Sequence, residues 1–125
     1  MSRFERTVGQ SPILPGTVSA NGLVFTSGLI APAAFAAITS GAVVPASRQI
    51  VDTVATLRAT LAAAGVGVED VVKVNAYLSS ADLTADWNDA FLGVWPGGGP
   101  ARTTLVVGFT SPAVHFELEA VAATP

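Results

Sequence analysis

The sequence predicts an α+β domain in which two helices pack on one face of a single β-sheet. Segments with strand and helix patterns follow each other in the order strand, strand, helix, strand, helix, strand, strand. This order favours a sheet with its helices segregated to one side. A length of 125 residues suits one domain, so residues 1–125 are treated as a single unit.

The composition predicts that copies of the chain associate. Hydrophobic residues make up 50% of the chain and charged residues 12%, whereas soluble domains usually carry about 25% charged residues. No charged residue lies between Thr7 and Ser47. Such a tract must be covered by the same chain or by a second copy of it, because large exposed apolar patches mark interaction surfaces. We therefore expect a homo-oligomer.

Charge and cysteine content exclude several functions. The net charge is −3 and the chain has a single lysine, Lys73, which argues against nucleic acid and anionic membranes as partners. The partners expected are small molecules and sister chains. Without cysteine there is no disulfide, thiolate metal site or cysteine nucleophile. No apolar run approaches about 18 residues, so a soluble, cytoplasmic protein is expected.

A hairpin is predicted near the start of the chain. Asn21-Gly22 separates the strand segments 17–20 and 23–27, and an Asn-Gly pair suits a type I′ turn because both central residues need positive φ. The second strand ends in Ser27-Gly28, which fits either a simple strand end or a corner that faces a ligand. The stretch 29–44 shows little period and is expected to be a loop, with a short strand near 42–44.

Two helices and a strand are predicted in the middle of the chain. The first helix is capped by Ser47 and ends at Gly65, with an apolar stripe of Ile50, Val54, Leu57 and Leu61. A strand over 71–78 should have one dry face, formed by Val72, Val74, Ala76 and Leu78. The second helix is capped by Asp82 and stopped by Pro96. Asn88 lies off its stripe, which comprises Leu83, Trp87, Ala90, Phe91 and Val94.

Arg102 is the candidate for anion binding. It is the only charged residue between Phe91 and Phe116 and precedes the apolar strand 105–107, which is expected to be buried. A buried guanidinium must be paired. The partner is either Glu117 or Glu119, in a structural ion pair, or a bound anion, and composition leaves both readings open.

The final strand is predicted over 114–122, with alternation placing His115, Glu117 and Glu119 on one face. His115 fits an ordinary surface histidine, and no second histidine supports a metal site. Residues 97–99 form a glycine connector. They are no phosphate loop, since the lysine and following helix of that motif are missing.

Five motifs, taken together and in this order, resemble the RidA (YjgF-like) family of enamine and imine deaminases. They are Asn-Gly-Leu-Val-Phe-Thr-Ser-Gly, the Val-Val-Lys-Val strand, Asn88-x-x-Phe91, Pro-Ala-Arg-Thr and Phe-Glu-Leu-Glu-Ala. The resemblance covers nearly the whole chain. It implies a chorismate-mutase-like fold and a homotrimer with a central barrel and three clefts between neighbouring chains.

The same resemblance implies an activity and a site. Members of the family hydrolyse 2-aminoacrylate and related imines to 2-keto acids and ammonia, without a metal or cofactor of their own. Arg102 would bind the substrate carboxylate and Glu119 would hold or activate water. Ser27 and Gly28 would line the pocket, and Asn88 and Thr104 match flanking positions.

Local reasoning and the resemblance predict different neighbours for the last strand. The loop Thr110-Ser111-Pro112-Ala113 looks like a hairpin connection that would place the last two strands side by side. The family inserts its final strand elsewhere in the sheet, so Arg102 and Glu119 should meet across a subunit boundary. We follow the family, because sequential strands are neighbours only about two-thirds of the time.

Departures from the family bear on the substrate. Leu14 and Leu29 stand where many members have Tyr and Gln, and Thr104 replaces a frequent Cys. With Ile13 or Phe35 nearby, the pocket should be apolar and should favour imines derived from leucine, methionine or phenylalanine. Two other functions remain open: a non-catalytic trimeric protein that binds small carboxylic acids and, by fold analogy, an isomerase of a carboxylated ring.

Overall fold

The computed structural model of the protein describes residues 4–125, and its centre is a six-stranded mixed sheet. The strands are β1 (Glu5–Arg6), β2 (Thr17–Ala20), β3 (Leu23–Thr26), β4 (Val71–Leu78), β5 (Ala101–Val106) and β6 (Phe116–Ala123). Their order across the sheet is β1-β2-β3-β6-β4-β5. The pair β4 and β5 is parallel and the other neighbours are antiparallel. The predicted α+β class is confirmed.

The core lies between one face of the sheet and the helices α1 (Pro32–Ser40), α2 (Ala46–Ala63) and α3 (Thr84–Val94). We call this the helical face and the other side of the sheet the open face. The predicted stripe of α2 is confirmed, because Ile50, Leu57 and Leu61 are buried. They meet side chains of β4 and β6, which include Val74, Leu78, Phe116 and Leu118.

Two turn predictions are confirmed by backbone angles. Asn21 and Gly22 have φ values of 51° and 77°, as a type I′ turn requires, and they join β2 to β3. Gly65 follows α2 with φ of 79° and forms its left-handed end.

The prediction of a loop over 29–44 was wrong, because α1 occupies most of it and raises the number of α-helices to three. Pro32 begins this helix and Gly41, at φ of 74°, ends it by donating its N–H to the carbonyl of Ala37. Ala34 and Ala37 form its buried side. An alanine-rich helix has little contrast between faces, so periodicity does not reveal it. The strand expected near 42–44 is absent, and Val43 is 92% exposed.

Both predicted helix caps need correction. The residue before α2 is Pro45 and Ser47 lies inside the first turn, with no side-chain cap. Ahead of α3, a single 3-10 turn (Ala81–Leu83) is capped by Ser80, whose hydroxyl accepts a hydrogen bond from the Asp82 N–H at 3.2 Å. Asp82 is therefore the residue being capped. The sequence does not show this, because Ser80 and Asp82 have similar capping preferences.

The dry face of β4 also differs at one position. A register shift between Val71 and Lys73 buries Val71 and leaves Val72 50% exposed. The predicted buried positions Val74, Ala76 and Leu78 are confirmed. One extra residue in a bulge moves each preceding side chain to the other face.

The position of β6 decides where the predicted site residues lie. It is inserted between β3 and β4, so β5 and β6 are not neighbours and the loop 110–113 is no hairpin. This confirms the strand placement that the resemblance implies.

The expected burial of the strand after Arg102 was wrong for the single chain: β5 is an edge strand and Leu105 is 50% exposed. No helix within residues 4–125 is long and apolar enough to cross a membrane.

Candidate functional site

The Glu117 carboxylate lies at a small cavity near the start of β6, and α1 provides part of the cavity wall. We call this the glutamate cavity. Its volume is about 180 Å³ and its wall comprises Gln10, Leu14, Gly28, Ile30, Phe35, Ile38, Phe109, Thr110, Val114 and Glu117. Burial, and next the negative charge of Glu119, raise the pKa of Glu117. A carboxyl group with a raised pKa is suited to exchange protons near neutral pH.

Gly28 allows this arrangement because it packs directly against the Glu117 carboxylate. A Cβ atom at position 28 would overlap the carboxylate. The predicted corner at Ser27-Gly28 therefore faces the cavity through Gly28, and a larger residue there would have to displace the Glu117 carboxylate. The Ser27 N–H donates to the carbonyl of Gly16 at 3.2 Å, which ties the end of β3 to the segment that carries Leu14.

Leu14 and Leu29 have different surroundings. Leu14 is part of the cavity wall, and its role in binding substrate stays a prediction. Leu29 is 3% exposed and exchanges two backbone hydrogen bonds with Leu118, of 2.7 and 3.0 Å, so the expectation that it flanks the pocket was wrong. Ile13 is 87% exposed and is not part of the wall, whereas Phe35 is.

Glu119 lies two residues beyond Glu117 on the same face and is held by two donors. The Tyr77 hydroxyl donates to Glu119 Oε1, and Asn75 Nδ2 donates to the same oxygen at 3.2 Å. The hydrogen bond to Glu119, with burial and the charges of both glutamates, raises the pKa of Tyr77 to about 12. Glu119 is thus held in place by two donors, and Glu117 is the carboxylate that lines the cavity.

The second group, which we call the arginine cluster, consists of Arg102, Asn88 and Thr104. Arg102 Nη2 donates to Asn88 Oδ1 at 2.7 Å and to Thr104 Oγ1 at 3.1 Å. Its guanidinium carbon lies 4.7 Å from the ring centre of Phe91 and 5.5 Å from that of Trp87. Trp87 Nε1 also donates to Thr104 Oγ1, at 3.1 Å. The stacked rings and neutral acceptors fix the guanidinium without neutralising it.

The ion pair of Arg102 with Glu117 or Glu119 does not form. Within residues 4–125 the one salt bridge is Arg48 with Asp52. Arg102 contacts α3 on the helical face, whereas both glutamates lie on the open face, and β4 runs between their strands. Arg102 is also partly exposed at the sheet edge, so no buried charge requires neutralisation.

The structure therefore gathers five of the predicted residues into two groups and leaves Ser27 and Glu119 outside both. Leu14 and Gly28 meet at the glutamate cavity, and Asn88 and Thr104 join Arg102. Sequence alternation placed both glutamates on one face but gave no reason to select Glu117, since that depends on the fold bringing Gly28 against it. Among residues 4–125 no group of three or more metal-ligating side chains occurs. His115 forms a hydrogen bond of 2.9 Å between its Nδ1 atom and the Ser79 hydroxyl.

The comparison with known proteins agrees with this fold. The family model described as Endoribonuclease L-PSP matches residues 14–124. The chain belongs to this family, which is also known as YjgF/RidA. The RidA resemblance drawn from the five motifs is thereby confirmed, and the match spans the arginine cluster and every cavity wall residue except Gln10.

Relatives from yeasts share this membership. The chain is 34% identical over 111 residues to "Protein mmf2, mitochondrial" of Schizosaccharomyces pombe, covering 85% of this chain and 83% of that protein. It is 27% identical over 103 residues to protein HMF1 of Saccharomyces cerevisiae, covering 82% and 78%. The cytoplasmic location expected from the sequence stays a prediction.

Solved structures of the YjgF/RidA family have the same fold. A Streptococcus pyogenes yjgF-family protein aligns with a TM-score of 0.82 at 16% identity, covering 99% of this chain and 98% of that one. A proposed endoribonuclease from Thermotoga maritima aligns with a TM-score of 0.78 at 26% identity, covering 100% and 99%.

Proposed function

We propose that the protein hydrolyses 2-imino acids, and the enamines from which they form, to 2-keto acids and ammonia, in clefts between the chains of a homotrimer. The observation that carries this proposal is the set of groups that surround the Arg102 guanidinium. Its guanidinium is fixed by neutral partners at an exposed edge, and its Nε and Nη1 groups make no hydrogen bond to residues 4–125. These free N–H groups, with the positive charge that the neutral partners leave in place, can donate to a substrate carboxylate.

The cleft follows from the separation of the two groups. Arg102 and Glu117 are on opposite faces of the sheet, so one chain cannot direct both at one small substrate. In a ring of three chains, the arginine cluster of one chain would lie beside the glutamate cavity of its neighbour. The open face supports the assembly, since Leu23, Phe25 and Leu105 are exposed on it and a second copy would bury them.

The chemistry uses Glu117 as the proton acceptor. With the carboxylate held by Arg102, the imine carbon faces a water molecule at Glu117, and the water oxygen bonds to that carbon while Glu117 takes a proton. As the O–C bond forms, the C=N π pair moves onto the nitrogen of the protonated imine, which gives the neutral carbinolamine. Glu117 then returns its proton to this nitrogen, and the C–N bond breaks with its electron pair on nitrogen. The hydroxyl proton goes to Glu117 as the C=O bond forms, and the keto acid and ammonia leave. The raised pKa of Glu117 suits both proton steps. The assignment of the acceptor to Glu119 stays a prediction that the geometry supports less well.

The experiment that tests the proposal is release of keto acid and ammonia from freshly generated imines, measured against the spontaneous rate. Protein-dependent release would support it. Binding of carboxylic acids without release would support instead a trimeric binding protein that keeps Arg102. Ring isomerisation has less support, since a dicarboxylate would require more than one cation at the site.

The family description names an endoribonuclease, a different class of substrate. The chain has six lysines and arginines against nine acidic residues. Affinity for RNA depends on several phosphate contacts from lysine and arginine. A small carboxylate needs one guanidinium with free donors, which is what the arginine cluster offers, and this favours the small molecule.

A further inference from the structure

The residues that line the glutamate cavity indicate which substrate side chains would fit it. Six side chains of its wall are apolar: Leu14, Ile30, Phe35, Ile38, Phe109 and Val114. Of the polar members, Gln10 is turned to the backbone, because its Nε2 donates to the Ile30 carbonyl at 2.8 Å and its Oε1 accepts from the Ile30 N–H at 3.4 Å. Glu117 therefore stands in a wall that is mainly aliphatic and aromatic.

The volume of the cavity matches an amino-acid side chain. It is about 180 Å³, well below the roughly 300–1,000 Å³ of sites for drug-sized ligands. An apolar protein cavity of about 150 Å³ is large enough to hold benzene. An isobutyl or benzyl group would therefore fill much of the space, whereas the methylene of 2-aminoacrylate would leave most of it to water that finds few partners.

We propose that the glutamate cavity is a side-chain pocket that selects imines with a branched aliphatic or aromatic side chain, such as those derived from leucine and phenylalanine, over 2-aminoacrylate. This inference rests on the proposed function. The reacting carbon would lie at Glu117 and Gly28, with the side chain pointing towards Leu14 and Phe35. A hydrophobic pocket discriminates by about 10–200-fold for each methylene that it accommodates.

The test compares kcat/KM for the three imines in one assay, each generated in place and corrected for spontaneous hydrolysis. The expected result is at least about tenfold higher kcat/KM for the leucine and phenylalanine imines than for 2-aminoacrylate. Leu14→Tyr fills the cavity and adds a hydroxyl, so it should lower this ratio by about tenfold or more. Ile13→Tyr is the matched control, because Ile13 is the exposed neighbour, and it should keep the wild-type ratio.

A second variant keeps the test decisive if Leu14→Tyr fails to fold. Phe35→Ala enlarges the pocket and should shift the preference from the leucine imine towards the phenylalanine imine by about fivefold or more. A wild-type preference for 2-aminoacrylate that neither variant changes would overturn the inference.

Binding of stable keto acids separates this inference from the reaction itself. By titration calorimetry, 4-methyl-2-oxopentanoate should bind at least about tenfold more tightly than pyruvate, and Leu14→Tyr should remove the difference. Such binding without imine hydrolysis would uphold the side-chain pocket and reject the hydrolase. Hydrolysis with equal binding of the two acids and equal rates on all imines would uphold the hydrolase and reject the pocket.

Discussion

Two glutamates on one strand differ in what surrounds them, and this difference assigns their roles. Glu119 accepts hydrogen bonds from Tyr77 and Asn75, whereas Glu117 has Gly28 beside it and lines the cavity. The two donors already occupy Glu119 Oε1 and hold this carboxylate in place. A half-buried carboxylate without such donors is the better base.

Replacing each glutamate with glutamine should separate these roles. We expect Glu117→Gln to lower kcat by at least about 100-fold, the usual contribution of a positioned acid or base. Glu119→Gln should retain most of the activity, because it leaves the carboxylate at the cavity in place. The reverse order of the two losses would return the role of base to Glu119.

The pH dependence follows from the raised pKa of Glu117. Activity needs the carboxylate, so it should fall as pH drops through this pKa. Glu119→Gln removes a nearby negative charge that raises the pKa, and the acidic limb of the kcat/KM profile should move to lower pH. The same change removes the hydrogen-bond acceptor and charge that raise the pKa of Tyr77 to about 12, an effect that lies far above the acidic limb. An unmoved limb would show that Glu119 does not act on Glu117.

The same shift predicts an effect on stability. A carboxyl group whose pKa is raised in the folded state holds its proton more tightly there than in the unfolded chain, so stability falls as pH rises between the ordinary and the raised pKa. Glu117→Gln should therefore raise the melting temperature at neutral pH while it removes activity. An unchanged or lower melting temperature at neutral pH would mean that burial of the charge costs little.

Arg102 was identifiable from sequence, but its surroundings were not. An isolated arginine in an apolar tract fits either a buried ion pair or an anion site, and the family motif favoured the second. Only the fold shows that β4 separates it from both glutamates and that Asn88 and the ring of Phe91 contact it instead.

At the level of whole elements, long periodic segments were predicted well and short ones were not. The stripe of α2 and the alternation of β6 describe the buried side of each element. The alanine-rich α1 gives no such pattern, and the bulge at Val72 depends on how β4 meets β6. Ile38, a cavity wall residue on α1, was for the same reason missed from sequence, whereas Phe35 was expected near the pocket.

Gln49 joins α2 to the loop that leads into β6, and its loss should destabilise the fold. Its side chain is fully buried, donates to the carbonyls of Val44 and Ala113 and accepts from the His115 N–H. Gln49→Ala leaves these groups unpaired, and we expect a loss of about 2–4 kcal/mol in the free energy of unfolding. The exposed ion pair of Arg48 offers a control: Arg48→Ala should cost below about 1 kcal/mol. Equal losses in denaturant unfolding would contradict this role of Gln49.

At the scale of the molecule, the account depends on association. The sequence indicated it through the lack of charge, and the fold places exposed apolar side chains of β3 and β5 on the open face. The central claim is that a neighbouring chain supplies the missing half of each site. Two inactive variants, assembled together, can test it.

The test mixes Arg102→Ala chains with Glu117→Gln chains after joint unfolding and refolding. In a cyclic trimer whose sites combine Arg102 of one chain with Glu117 of the next, every mixed trimer contains one site with both native residues. Equal mixing should therefore restore about a quarter of the wild-type imine hydrolysis, while each variant alone stays inactive. Light scattering would confirm three chains per particle. A mixture of co-assembled chains that stays as inactive as its components would contradict a site shared between subunits.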